Sequence, residues 1–210
     1  MALRGQRVAV VDVGSNTVRL LVATQADGHL CSVQERRARL ALGAEIERNS
    51  KLSKAKVAET ALAVRAFVGE ARELGARPIE VVVASPGRQA ANASRLLAEL
   101  ERASATAVRV LSREEEAVLG WEGAVAVASP RAATLGVCDV GGGSTQVSVG
   151  SPVSGPVWLR SFDIGSLRLT ARVFDGDPPD APLFARATAH GERACAAQAR
   201  RADARRGGAV

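Results

Sequence analysis

The chain predicts an α/β fold, and three observations carry that expectation. Apolar runs with strand patterning alternate with stretches of helical periodicity along most of the sequence. One strand–turn–strand unit of 16 residues occurs twice, 127 positions apart. Hydrophobic residues make up 47% of the 210 positions, which is enough to bury a sizeable core and excludes wholesale disorder.

The elements follow in order. Arg7 to Val13 predicts a buried strand and residues 17–24 a second, separated by the turn residues Gly14-Ser15-Asn16. Residues 28–40 read as further extended chain, with a loop over 43–50. Val57, Ala61, Val64, Val68 and Ala71 recur at helical spacing within a helix predicted over 53–74, which Gly75 stops. A valine-rich strand over 79–84, a helix over 88–103 and a strand over 107–111 come next. Ser112 and Glu115 form a capping box that opens a helix running to about Ala128, ended by Ser129-Pro130. Strands are predicted over 134–140, 145–149 and 156–163, and a short helix over 166–174. The sequence DGDPPD at 175–180 is a loop, and the Ala/Arg-rich tail from 185 reads as disordered or as a helix with a solvated arginine face. These elements divide into a first domain over 1–131, the start of a second over 132–184, and the tail over 185–210.

Residues 8–23 (VAVVDVGSNTVRLLVA) align without gaps onto 135–150 (LGVCDVGGGSTQVSVG), with Asp12 matching Asp139 and Gly14 matching Gly141. Glycine permits positive φ and close approach of a ligand to the main chain, and successive N–H groups in such a turn form an anion nest. Ser15, Asn16, Thr17, Ser144 and Thr145 add side-chain donors, and an aspartate at a strand end beside phosphate is placed to hold hydrated Mg²⁺. Asp-Gly turns also close ordinary hairpins, but a hairpin turn alone does not explain two matching copies. No GxxxxGK[ST] and no GxGxxG opening a helix is present, so neither a P-loop nor a dinucleotide fingerprint applies.

Several function classes are disfavoured. The net charge is +6, yet the tail contributes +4 of it; lysine occurs only at 51, 54 and 56, and aromatics are 3%. That pattern matches an arginine- and alanine-biased composition better than a nucleic-acid platform. Cys31, Cys138 and Cys195 show no CxxC spacing, and Cys138 reads as a small buried hydrophobe. With two isolated histidines, His29 and His190, the chemistry must rest on carboxylates, amides, hydroxyls and arginine. No apolar run is long enough to span a membrane, and the N-terminal charge pattern lacks a cleavage site, so a cytoplasmic location is expected.

The segments VDVGSNTVRLLVA (11–23), ASPGRQAAN (84–92), LSREEEA (111–117), CDVGGGSTQ (138–146) and DIGSLRLT (163–170) stand in an order that resembles the exopolyphosphatase / guanosine pentaphosphate phosphohydrolase (Ppx/GppA) family. The resemblance implies an actin-like (sugar-kinase, Hsp70-type, ribonuclease H-like) fold, here one complete domain plus the start of a second. It implies metal-assisted hydrolysis, with Mg²⁺ or Mn²⁺, of the terminal phosphoanhydride bonds of inorganic polyphosphate or guanosine pentaphosphate. By the same resemblance Glu116 activates water and Arg88 steadies phosphate charge. Gly14, Ser15, Asn16 and Thr17 form one phosphate loop, and Gly141, Gly142, Gly143, Ser144 and Thr145 the other, with Gly165 in a third loop. Asp12, Asp139 and Gln146 face the metal.

Two features depart from the family. Its second loop ends GGGSTE where this chain has Gln146, which lacks a carboxylate charge for a cation. The family core is also longer, so an incomplete second domain would expose strand edges and invite self-association or pairing with a C-terminal half. Three readings stand: a phosphoanhydride hydrolase, a catalytically weak polyphosphate- or nucleotide-binding subunit, and an actin-fold kinase or ATPase.

Overall fold

The computed structural model describes residues 5–26, 29–128, 132–174 and 181–206. Its elements are β1 (Arg7–Val13), β2 (Thr17–Ala26), β3 (His29–Arg39), α1 (Leu42–Asn49), α2 (Lys54–Glu73), β4 (Ile79–Val83), α3 (Ser85–Gln89), α4 (Ala93–Ser104), β5 (Val108–Val110), α5 (Arg113–Ala128), β6 (Leu135–Val140), β7 (Thr145–Ser151), β8 (Gly155–Phe162), α6 (Ser166–Val173) and α7 (Ala181–Arg206). They build a five-stranded sheet in the order β3-β2-β1-β4-β5 and a three-stranded sheet in the order β6-β7-β8.

Strand alternation decides which face carries chemistry. Ala9, Val11 and Val13 of β1, with Val18, Leu20 and Val22 of β2, are buried in one core with Val57, Val64 and Val68 of α2 and Leu96 and Leu100 of α4. Because successive side chains point to opposite faces, Val10 and Asp12 lie on the other side of the sheet from that core. The parallel pairing of β1 with β4 aligns Val13 with Val83, so the chain leaves both strands at the same end. There the Ala84 amide donates to the Val13 carbonyl at 3.1 Å, seating the start of α3 beside the β1–β2 turn.

The duplicated unit is a duplication in space. Asp12 pairs across the hairpin with Arg19, and Asp139 with Gln146. The Gly14 amide donates to the Thr17 carbonyl at 3.0 Å, and the Gly141 amide to the equivalent Ser144 carbonyl at 2.9 Å. α5 joins the halves by packing on β6, β7 and β8. Its capping box forms, with the Glu115 amide 3.0 Å from Ser112 Oγ and the Ser112 amide 2.8 Å from Glu115 Oε2.

Three expectations are corrected, and one open alternative, the tail, is decided in favour of a helix. Residues 42–49 are helical rather than a loop: the Leu40 and Ala41 amides donate to the Asn16 carbonyl and the Gly43 amide to Ser15. Leu42 and Ile46 are then buried, so tertiary anchoring overrides a weak local signal. The helix expected over 88–103 is two helices; Ala90 is extended between them, and the Asn92 side chain pairs with both backbone groups of Leu52 at 3.0 and 2.8 Å. Cys138 is exposed, because β6 has a hydrogen-bonded neighbour on only one side among the described residues. The tail from 185 continues a helix that begins at Ala181 and packs on α6 and β8, burying Ala187. The Ser129-Pro130 break with the 131/132 boundary, the 175–180 loop and residues 207–210 lie outside the described residues.

Gly123 sits exposed in α5, with nothing within 4 Å of the place an alanine methyl would take. Gly123→Ala is therefore expected to stabilise the chain by about 0.5–1 kcal/mol through helix propensity alone, as read in a denaturant titration.

Candidate active site

The β1–β2 and β6–β7 turns face each other. A Cβ on Gly142 would lie 3.3 Å from Asn16 Cβ, and one on Gly143 would land on the Ser15 and Ser85 hydroxyls. Gly165, the N-cap of α6, closes the arrangement: its Cβ would stand 2.5 Å from the Gly142 carbonyl carbon and 2.6 Å from the Gly143 nitrogen. None of Gly14, Gly141, Gly142, Gly143 or Gly165 has positive φ. What this site takes from glycine is close approach of main chains, not left-handed backbone.

The backbone amides of Ser15, Asn16, Gly142 and Gly143 donate no hydrogen bond to another described residue. Four unclaimed donors on two facing loops are what an anion nest requires. The hydroxyls are used differently from the sequence-based expectation. Ser15 Oγ is 2.5 Å from Ser85 Oγ, Thr145 Oγ1 donates to the Ile164 carbonyl at 2.7 Å, and Thr17 Oγ1 accepts from Arg19 Nε at 3.3 Å. These side chains brace the loops, and the amides are the donors left without a partner among the described residues.

Asp12, Glu116 and Asp139 line one cleft of about 800 Å³ between the five-stranded sheet and α5. α5 brings Glu116 there from its first turn. Arg88, on α3, donates from Nη2 to Glu116 Oε2 and from Nη1 to the Leu111 carbonyl at 2.6 Å. Ser144 Oγ donates to Glu116 Oε1 at 3.3 Å, so one residue of each half holds the carboxylate. Gly120, one turn on, leaves room for Asp139, whose Oδ2 would be 3.4 Å from a Cβ there.

Burial pushes the Asp12 carboxyl up to about 6, with Glu116 and Asp139 adding to the rise and Arg19 opposing it. In the cation-free chain Asp12 stays protonated where the unfolded chain has already ionised. Stability is therefore expected to fall as pH rises from about 4 to about 6 and then to level, by about 2–3 kcal/mol in all. Thermal melts across that range check this, and added Mg²⁺ should raise the melting temperature more at pH 7.5 than at pH 5.

The donor set suits a hard cation. Among the described residues no three Asp, Glu, His or Cys groups could grip a metal by themselves. Mg²⁺, however, keeps several waters and needs only one or two carboxylates plus substrate oxygens. Asp12 and Asp139 would supply those carboxylates, and Asn16 Oδ1, in the turn that follows Asp12, is buried without a partner among the described residues. Gln146 stands opposite Asp139 in the β6–β7 register; it is buried, and its Nε2 donates to Ser144 Oγ at 3.0 Å and Ser161 Oγ at 3.2 Å, which holds Ser144 in place.

Sequence reasoning missed Ser85, Gln89, Arg113, Asp163 and the ion-paired group Glu47–Arg168–Arg172. Ser85, Gln89, Arg113, Asp163 and Arg168 stand inside the quoted motifs, whereas Glu47 gave no local signal because its segment reads as a loop. Among the described residues no helix is long and apolar enough to cross a membrane.

Comparison with known proteins identifies the family. The chain is 31% identical over 182 residues to exopolyphosphatase 2 of Mycobacterium tuberculosis, covering 82% of this chain and 56% of that protein. It is 30% identical to the guanosine-5'-triphosphate,3'-diphosphate pyrophosphatase of Aeromonas salmonicida, covering 86% of this chain and 36% of that one. The solved PPX-GPPA enzyme of Aquifex aeolicus superposes with a TM-score of 0.73 at 28% identity, over 91% of this chain and 63% of that chain. The chain thus spans about half the length, or less, of these curated relatives, and its fold is the actin-like one. The sequence profile of the Ppx/GppA phosphatase family matches residues 21–204, from β2 through nearly all of α7, and the chain belongs to that family.

Proposed function

We propose that the chain hydrolyses terminal phosphoanhydride bonds of inorganic polyphosphate or guanosine pentaphosphate. The observation that carries this reading is the pairing of unclaimed loop amides on both halves with a carboxylate, Glu116, held between them. The amides of Ser15, Asn16, Gly142 and Gly143 receive the oxygens of the terminal phosphoryl group. Arg88 turns from Glu116 to the incoming phosphate, and the Oε2 atom it releases takes the proton of the attacking water. Ser144 keeps Oε1 fixed during that exchange. A hydrated Mg²⁺ or Mn²⁺ held by Asp12 and Asp139 would neutralise phosphate charge that three carboxylates in one cleft otherwise repel.

The test is phosphate release by the purified chain from long-chain polyphosphate and from guanosine pentaphosphate, each with Mg²⁺. Release from either supports the reading; none from a folded chain overturns it as a stand-alone activity. A kinase or ATPase reading has no observation of its own here, since both would use the same loops.

Among the described residues β6 pairs on one side only, and Val140 is 62% exposed, which supports a second element of the proposal. In the other half the equivalent strand β1 is flanked by the parallel strand β4. Self-association of the 210-residue chain through β6 is the expected outcome, and a monodisperse monomer in light scattering at high concentration would count against it.

A further inference from the structure

We propose that a second cavity, of about 330 Å³ between α1, α3, the start of α5 and α6, is a subsite for the phosphate groups that follow the one being cleaved. The inference rests on the function proposed above and extends it to how a chain of phosphates is gripped. Arg88, Arg113, Arg168 and Arg172 line this cavity against Glu47 and Asp163, four guanidiniums to two carboxylates.

The Arg88–Glu116 ion pair stands between this cavity and the cleft of Asp12, Glu116 and Asp139, Arg88 lining one and Glu116 the other. Gln89, also in the cavity wall, reaches the Gly143 carbonyl at 3.4 Å, so the cavity begins one side chain from the glycine loop.

Glu47 gives the cavity its donors. Its Oε2 accepts from Arg168 Nε at 2.8 Å and its Oε1 from Arg172 Nε, and these two arginines hold its carboxyl below the usual range against the opposing effect of burial. Each guanidinium is thus fixed through Nε alone. Among the described residues the Nη groups of Arg168 and Arg172 make no hydrogen bond, although the Arg168 side chain is only 16% exposed. Two guanidiniums held side by side on Glu47, with Nη donors open to the cavity, match the oxygens of a phosphoanhydride chain, which guanidinium groups bind in bidentate fashion.

The experiment measures binding of orthophosphate, tetrapolyphosphate and GTP to the full chain by calorimetry, with wild type, Arg168→Gln/Arg172→Gln and Arg113→Gln. Arg113 lies outside the Glu47 cluster and is 44% exposed, so its variant keeps the test open if the double variant fails to fold. The expected result is a loss of about tenfold or more in tetrapolyphosphate affinity with orthophosphate binding nearly unchanged. A larger loss for tetrapolyphosphate than for GTP assigns the subsite to inorganic chains, and the reverse assigns it to nucleotides. Equal losses for orthophosphate and tetrapolyphosphate, or no loss, overturn the subsite. A wild-type chain that binds tetrapolyphosphate in this arginine-dependent way yet releases no phosphate would overturn the hydrolase reading and leave the subsite standing.

Discussion

Glu116→Gln is expected to lower phosphate release by about 10²- to 10⁴-fold, the usual contribution of a positioned base. Glutamine is nearly the same size, keeps one oxygen to accept from Arg88 and turns its amide N–H towards Ser144 Oγ, and leaves α5 capped by Ser112 and Glu115. The fold should persist, and the loss should fall on kcat rather than KM. A second readout separates this from a structural effect. The Glu116 charge helps to raise the Asp12 carboxyl, so its removal should move the stability change expected between pH 4 and pH 6 downward in pH. A variant that retains phosphate release within a few-fold of wild type would show that Glu116 is not the base.

The second large effect is expected at Gly165. Gly165→Ala places a methyl 2.5–2.6 Å from main-chain atoms of Gly142 and Gly143, which cannot swing aside as a flexible side chain would. Its φ of −151° is extended backbone open to any residue, so the cost is entirely steric. Overpacking of this kind costs about 1–3 kcal/mol or more, and relief requires the β6–β7 turn to move away from the β1–β2 turn. Phosphate binding should fall with stability, because the amide nest is shared between those turns. Gly191→Ala is the control: its nearest neighbour is the flexible end of Ile164 at 3.4 Å. Chemical denaturation together with orthophosphate titration checks both variants, and an unaltered Gly165→Ala protein would mean that the two turns are not held at this spacing.

The relation between Gly165 and Gly142 shows where local reasoning stops. Every β-strand and most helices were legible because period-2 and period-3.6 patterns, the Ser112–Glu115 box and the glycine turns are local physics. The duplicated unit was legible too, and with it Asp12, Asp139 and both loops. Helix α1 was not, since it forms on contacts with Ser15 and Asn16 made by distant chain. The division of labour in the site was equally hidden. The turn marks Ser15 and Thr145 as ligand groups and the family resemblance adds Gln146, and only their partners at Ser85, Ile164, Ser144 and Ser161 show that they brace the loops.

By itself the sequence determined which residues can carry chemistry: paired Asp-Val-Gly turns, an acidic helix start, an arginine-rich complement and almost no histidine. Only the tertiary structure decided which of them meet. Hydrogen bonds and charge interactions act over a few ångströms; Arg88 and Glu116, 28 residues apart, come within that range through packing inside the first half, and Glu47 and Arg168, 121 apart, only through packing of the two halves.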